Sequence, residues 1–136
     1  AEKQVAKLLP KIAKSVEDEE FSQVLQEERE SLNQGVEALE AAFEALGKRP
    51  RAVACDAMLG LVEEASSVME EAEGNAVDAG VLAAYQAIKH YQITRYGTLA
   101  SWAGRLGIEE AASRFEEITQ LCKDADVRLT EIAESQ

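Results

Sequence analysis

The stretch from Ala83 to Gly104 reads AAYQAIKHYQITRYGTLASWAG and carries the only histidine, the only tryptophan and all three tyrosines of the 136-residue chain. Tyr85, Ile88, Gln92, Tyr96, Leu99 and Trp102 recur at helical spacing, which puts them on one face of a helix. Two residues disturb that face: Gln92 stands in its middle and Lys89 at its edge. Burying a polar side chain without a hydrogen bond costs ~1–3 kcal/mol. Gln92 therefore either has a partner or is the remnant of a site.

Outward from this segment the pattern stays helical. Gly74-Asn75 and Gly107 bound it, giving a fourth helix over about Val77 to Leu106, with Asn75 or Asp78 as its cap. A fifth helix, about Glu109 to Glu134, aligns Phe115, Ile118, Cys122, Ala125, Leu129 and Ile132. Upstream, a first helix runs from Ala1 to Ser15 or Val16 with Val5, Leu9, Ile12 and Val16 as its stripe, Glu2 one turn earlier, and a kink expected at Pro10. Helical pattern is already running at Ala1, so a few residues of the first helix are expected to precede it. Asp18 is read as the N-cap of a second helix over about Glu19 to Leu46, with Glu19 and Glu20 favourable in its first turn. Phe21, Leu25, Leu32, Leu39, Phe43 and Leu46 form a heptad-like series there, with Glu28 and Gly35 in the two slots between. Such a helix is ~42 Å long at ~1.5 Å per residue, a length that suits a bundle. Gly47 and Pro50 end it. A shorter third helix spans about Ala54 to Glu73, with Met58, Leu61, Val62, Ala65 and Met69 apolar.

No segment alternates as a strand does, so the fold class is all-α: a four-helix bundle with an additional short helix in the crossover. A chain of this length builds one core and shows no composition shift, so residues 1–136 are read as a single domain. The net charge of −12, from 26 acidic against 14 basic residues, argues against nucleic-acid binding. No apolar run is long enough to cross a membrane, and AEKQVAKLL is not a secretion signal, so a cytoplasmic protein is expected. Cys55 and Cys122 read as reduced, buried thiols without a CxxC partner, and one histidine is too few for a zinc site.

On the bundle model the seam residues that are not hydrocarbons are Glu2, Glu28, Gln92 and Cys122, with Lys89 beside them. Each of the four long helices thus contributes one. Ferritin-like bundles hold two metal ions by that arrangement, but the chemistry differs here. Hard iron or manganese needs several carboxylates and usually imidazoles. Glu30 and Asn33 have the Glu-x-x-His spacing without the histidine. His90 lies on the opposite side of its helix from Ile88 and Gln92 and is expected to pack against the crossover helix.

The chain resembles the YciE/YciF family of small bacterial ferritin-like proteins over nearly its whole length. AEKQ at Ala1 to Gln4, LLPKIAKS at Leu8 to Ser15, C-x-A-M-x-G-L at Cys55 to Leu61 followed by Val62-Glu63-Glu64, HY at His90-Tyr91, RYGTLA at Arg95 to Ala100 and DVRLTEIA at Asp126 to Ala133 carry the resemblance together and in order. It implies a ferritin-type bundle able to carry a two-metal centre and associated with stress responses. Against the family pattern, Glu28 stands where a histidine is usual. Ser31, Leu59, Lys89, Gln92 and Cys122 stand at positions that are commonly glutamate, while Glu2, Glu30, Glu63 and Glu64 remain.

The leading expectation is a non-catalytic bundle with a degenerate site and no cofactor, acting as a homodimer or through a protein partner. Ser31, Asn33, Lys89, Gln92 and Cys122 would be the remnant of the site. Lys89 is then either an internal counter-ion to Glu2, Glu28 or Glu30, or a lysine that snorkels to solvent. The alternative is an iron- or manganese-binding oxidoreductase or storage protein using Glu2, Glu28, Glu30 and Cys122. Thiol redox chemistry at Cys122 is a third class, disfavoured by its inward position. No nucleophile–base or relay constellation is present.

Overall fold

The computed structural model describes residues 1–136, which form five helices and no strand: α1 Glu2–Ser15, α2 Glu19–Ala45, α3 Asp56–Glu71, α4 Asn75–Arg105 and α5 Glu109–Ser135. The helix boundaries follow local chemistry. Asp18 accepts the Phe21 N–H at 2.8 Å and starts α2. Gly47 and Gly107 end α2 and α4 at φ +69° and +74°, and the N–H groups of Lys48 and Ile108 fold back onto the carbonyls of Phe43 and Ala103. α1 runs through Pro10, whose exposed position leaves the carbonyl it frees open to water.

Two capping expectations are corrected. Neither Asn75 nor Asp78 caps α4: the helix starts at Asn75 behind Gly74 with no side-chain cap. Asp78 instead reaches across to the α1–α2 turn and accepts the N–H groups of Glu17 at 3.1 and 3.2 Å and of Asp18 at 2.7 Å. Its carboxylate pins the hinge between the first two helices. Cys55 lies just before α3 as its N-cap, half-exposed, with Sγ accepting the Met58 N–H at 3.4 Å.

α4 and α5 pack along their length, α5 also packs on α2, and α2 packs on α1. These helices form the four corners of a ferritin-like bundle in which α2 and α4 are diagonal partners. Glu28 faces Tyr85 and Lys89 while Gly35 faces Tyr96, so α2 and α4 ascend together. α3 lies in the long crossover that joins the parallel helices α2 and α4, and packs on α4 and α1. A large apolar cluster joins α1, α2, α3, α4 and the end of α5. A smaller one, built around Tyr96, Phe115 and Ile118, continues it towards the α4–α5 turn.

α1 is the shortest of these four helices, with 14 residues against 27, 31 and 27 in α2, α4 and α5. Phe43, Leu46 and Trp102, expected on the seam, are 36, 48 and 59 % exposed. On α4 the buried line turns instead through Tyr96, Ala100 and Ala103.

Candidate functional site

The bundle centre is polar. Lys89 on α4 and Glu28 on α2 form an ion pair with their side chains 2 and 4 % exposed. Tyr85, one turn before Lys89, donates its hydroxyl to Glu28 Oε1 at 3.0 Å and sets its ring 5.7 Å from the Lys89 ammonium. Burial, reinforced by the Glu28 charge, raises the Tyr85 phenol well above its ordinary range, so it stays a donor. Cys122 on α5 is buried beside this pair. Burial pushes its thiol up to about 11 against the downward pull of Lys89. It is a neutral thiol, which weighs against redox chemistry at that position.

One turn further along α4 is a second network. Gln92 Nε2 donates to both oxygens of Glu2, at 2.9 and 3.2 Å, and the Tyr96 hydroxyl donates to Glu2 Oε2 at 2.8 Å. Burial, then the Glu2 charge, raises the Tyr96 phenol strongly. Space for that hydroxyl comes from α2: a Cβ at Gly35 would collide with it and lie 3.3 Å from Glu2 Oε2. Gln92 Oε1 is buried and has no partner. Half of this side chain is thus satisfied and half is not.

A third group ties the crossover down. Gln4 clamps the backbone of Cys55, donating to its carbonyl at 3.1 Å and accepting its N–H at 3.0 Å. The Cys55 sulfur lies 3.1 Å from the Tyr91 hydroxyl, and Arg95 sits 5.0 Å from the Tyr91 ring centre. The hydrogen bond to Tyr91 and the N-terminus of α3 hold the Cys55 thiol below its ordinary value, while the same contact raises the Tyr91 phenol.

The other sequence-derived positions lie outside the centre. Glu30 and Asn33 are exposed and line a shallow groove between α1 and α2 that Glu2 also borders. Ser31 donates to the Glu27 carbonyl of its own helix at 3.4 Å. Leu59, Glu63 and Glu64 face solvent. His90 does not pack on the crossover helix: its ring is 66 % exposed and pairs with Asp126 on α5 at 3.1 Å. Sequence spacing counted Tyr85 and Tyr96 as apolar members of a stripe. Their hydroxyls serve Glu28 and Glu2, and only the presence of unpaired acids on facing seams hinted at that.

No three of the His, Cys, Asp and Glu side chains converge as a metal ion would require. A two-metal centre of ferritin type does not fit the residues present. Its position holds an ammonium, an amide and a neutral thiol, and the two remaining carboxylates, Glu2 and Glu28, each already accept two donor side chains from α4.

The model of a family described as a domain of unknown function (DUF892) matches residues 1–136. The chain is 37 % identical over 135 residues to Protein YciF of Escherichia coli strain K12, a match covering 98 % of this chain and 81 % of that protein. The crystal structure of the E. coli stress protein YciF has a TM-score of 0.91 at 36 % identity, covering 97 % of this chain and 84 % of that one. YcfI from Rhodopseudomonas palustris has a TM-score of 0.87 at 35 % identity, covering 95 % and 83 %.

Proposed function

The chain belongs to the DUF892 family, which includes YciF, and from that premise we propose that it is a non-catalytic ferritin-like bundle whose di-metal site has been replaced by an internal ion pair. The observation that carries this reading is Lys89 paired with Glu28 in the bundle centre. An isolated buried carboxylate is strongly disfavoured, and an ammonium supplies the positive charge that a metal would otherwise provide. Gln92 and Tyr96 serve Glu2 in the same way with neutral donors.

A bundle of this kind acts through its surface, in a stress-related setting such as the description of YciF names, as a homodimer or with a protein partner. Leu59 on α3 and Leu121 and Val127 on α5 are exposed apolar side chains available for such contacts. Elemental analysis of protein produced with iron and manganese in the medium tests the reading, with solution mass measured on the same sample. The expected result is metal well below one ion per chain and a mass of two chains. Stoichiometric iron or manganese overturns the ion-pair reading.

A further inference from the structure

Two neighbouring helices present charge of opposite sign to solvent. The exposed side of α1 holds Lys3, Lys7, Lys11 and Lys14, while its one acid, Glu2, is turned inward to Gln92 and Tyr96. α3 has no basic residue, and Asp56, Glu63, Glu64, Glu70 and Glu71 are exposed on it. None of these side chains forms an ion pair within the chain, whose ion pairs are Lys89–Glu28, His90–Asp126 and Arg128–Glu27. α5, by contrast, interleaves Arg114, Lys123 and Arg128 with its acids.

α1 and α3 pack side by side and run in the same direction. At one end Gln4 holds the Cys55 backbone that starts α3; at the other, Asp78, just after α3, holds the turn that follows α1. With 14 and 16 residues the two helices are ~21 and ~24 Å long, so their lengths match. Lys7 and Lys11 share the flank of α1 on which Gln4 reaches α3. Val68 turns towards Gly80 of α4, which leaves Leu59, Glu63 and Glu70 on the opposite side of α3, with Leu59 47 % exposed and Val62 half-buried next to it. A basic strip and an acidic strip thus lie beside each other on one open face.

We infer that this face pairs with the same face of a second copy about a twofold axis parallel to α1 and α3, so that each α1 lies along the other copy's α3. The inference rests on the homodimer reading above and places its contact. Charge selects both the occupant and the axis. At a net charge of −12 two copies repel at long range, so a contact that holds them sets unlike charges against each other. An axis across the helices would lay α1 on α1 and α3 on α3, lysine against lysine and glutamate against glutamate. The parallel axis lays lysine on glutamate twice, and a twofold contact closes at two chains. Each exposed ion pair contributes at most ~1 kcal/mol, so the charges set partner and register while Leu59 and Val62 supply apolar burial.

Two charge-reversed chains test it, Lys7→Glu with Lys11→Glu and Glu63→Lys with Glu70→Lys. Alone, each sets like charges against like in its own dimer. Its dimer dissociation constant in sedimentation equilibrium is expected to rise about a hundredfold or more, while the circular dichroism stays helical. Mixed in equal amounts, the two chains restore unlike pairing on both sides, and the two-chain mass is expected to return. A mixture that stays at the mass of one chain overturns the inference, because the charges would then act only within each chain. A two-chain mass in both variants alone overturns it as well, by placing the contact elsewhere, and leaves the homodimer reading standing. An unreversed chain that keeps the mass of one chain overturns the inference and the homodimer reading together. Metal content of the same samples tests the ion-pair reading separately.

Discussion

Lys89 and Glu28, sixty-one positions apart in sequence, meet across the diagonal of the bundle as a buried ion pair. The pair joins the two parallel helices, α2 and α4, which face each other diagonally across the bundle centre. Its cost is the desolvation of both charges, and its return is a fixed register between helices. Tyr85 completes the arrangement by donating to the same carboxylate.

Removing one partner leaves the other charge buried. Lys89→Met is expected to destabilise the fold by ~3–5 kcal/mol in urea denaturation. Adding Glu28→Gln removes the orphaned charge but keeps an acceptor for the Tyr85 hydroxyl, and should recover most of the loss. No change in Lys89→Met would mean that the ammonium contributes nothing to the fold.

Gly35 is needed for the Tyr96 hydroxyl rather than for backbone freedom. In an ordinary helix Gly→Ala gains up to about 1 kcal/mol. Gly35→Ala should instead lose ~1–3 kcal/mol through overpacking against Tyr96. Tyr96→Phe in the same chain removes the colliding oxygen, so the double variant should lie above the single one in thermal denaturation.

Asp78 holds the α1–α2 turn through two backbone N–H groups, and Asp18 caps α2 within the same turn. Asp78→Ala is expected to cost ~1–2 kcal/mol and Asp18→Ala about 1 kcal/mol. Because both act on one turn, the double variant should lose less than the sum. Strict additivity would show that the two carboxylates act independently.

The two thiols should differ sharply in reactivity. Cys55 is half-exposed with its thiol held down by Tyr91 and the α3 N-terminus, whereas Cys122 is buried with its thiol pushed up to about 11. Near neutral pH iodoacetamide should label Cys55 well before Cys122, and Tyr91→Phe should slow that labelling. Equal rates in the folded protein would contradict the assignment.

Cys122 also sets a pH dependence. Its folded value lies above the ordinary 9.0, so the folded state keeps a proton that the unfolded chain releases. The stability from this group is complete below pH 9 and is lost as pH rises from about 9 to about 11. The slope is at most ~1.4 kcal/mol per pH unit. Cys122→Ala should flatten the curve between pH 9 and 10, above which the raised phenols of Tyr85 and Tyr96 add to the slope; an unchanged slope below pH 10 would assign it to other groups.

The helices were legible in the order of residues, because helix formation rests on local spacing and caps. The stripes of Val5, Phe21, Met58, Tyr85 and Ile118, the Asp18 cap and the glycines at 47 and 107 are each legible within a turn or two of chain. Glu2, Glu28, Lys89, Gln92 and Cys122 were legible too, as polar groups on apolar stripes, and all of them lie in or against the bundle centre. Which of them meet follows from how the helices pack. Pairing across a bundle depends on the rotation and register of helices far apart in sequence, so Lys89 goes to Glu28, while Gln92 and Tyr96 go to Glu2 and Glu30 faces solvent. The exposure of Phe43 and Trp102 was equally illegible, because a stripe declares that it can be buried and not whether a neighbour is there to bury it.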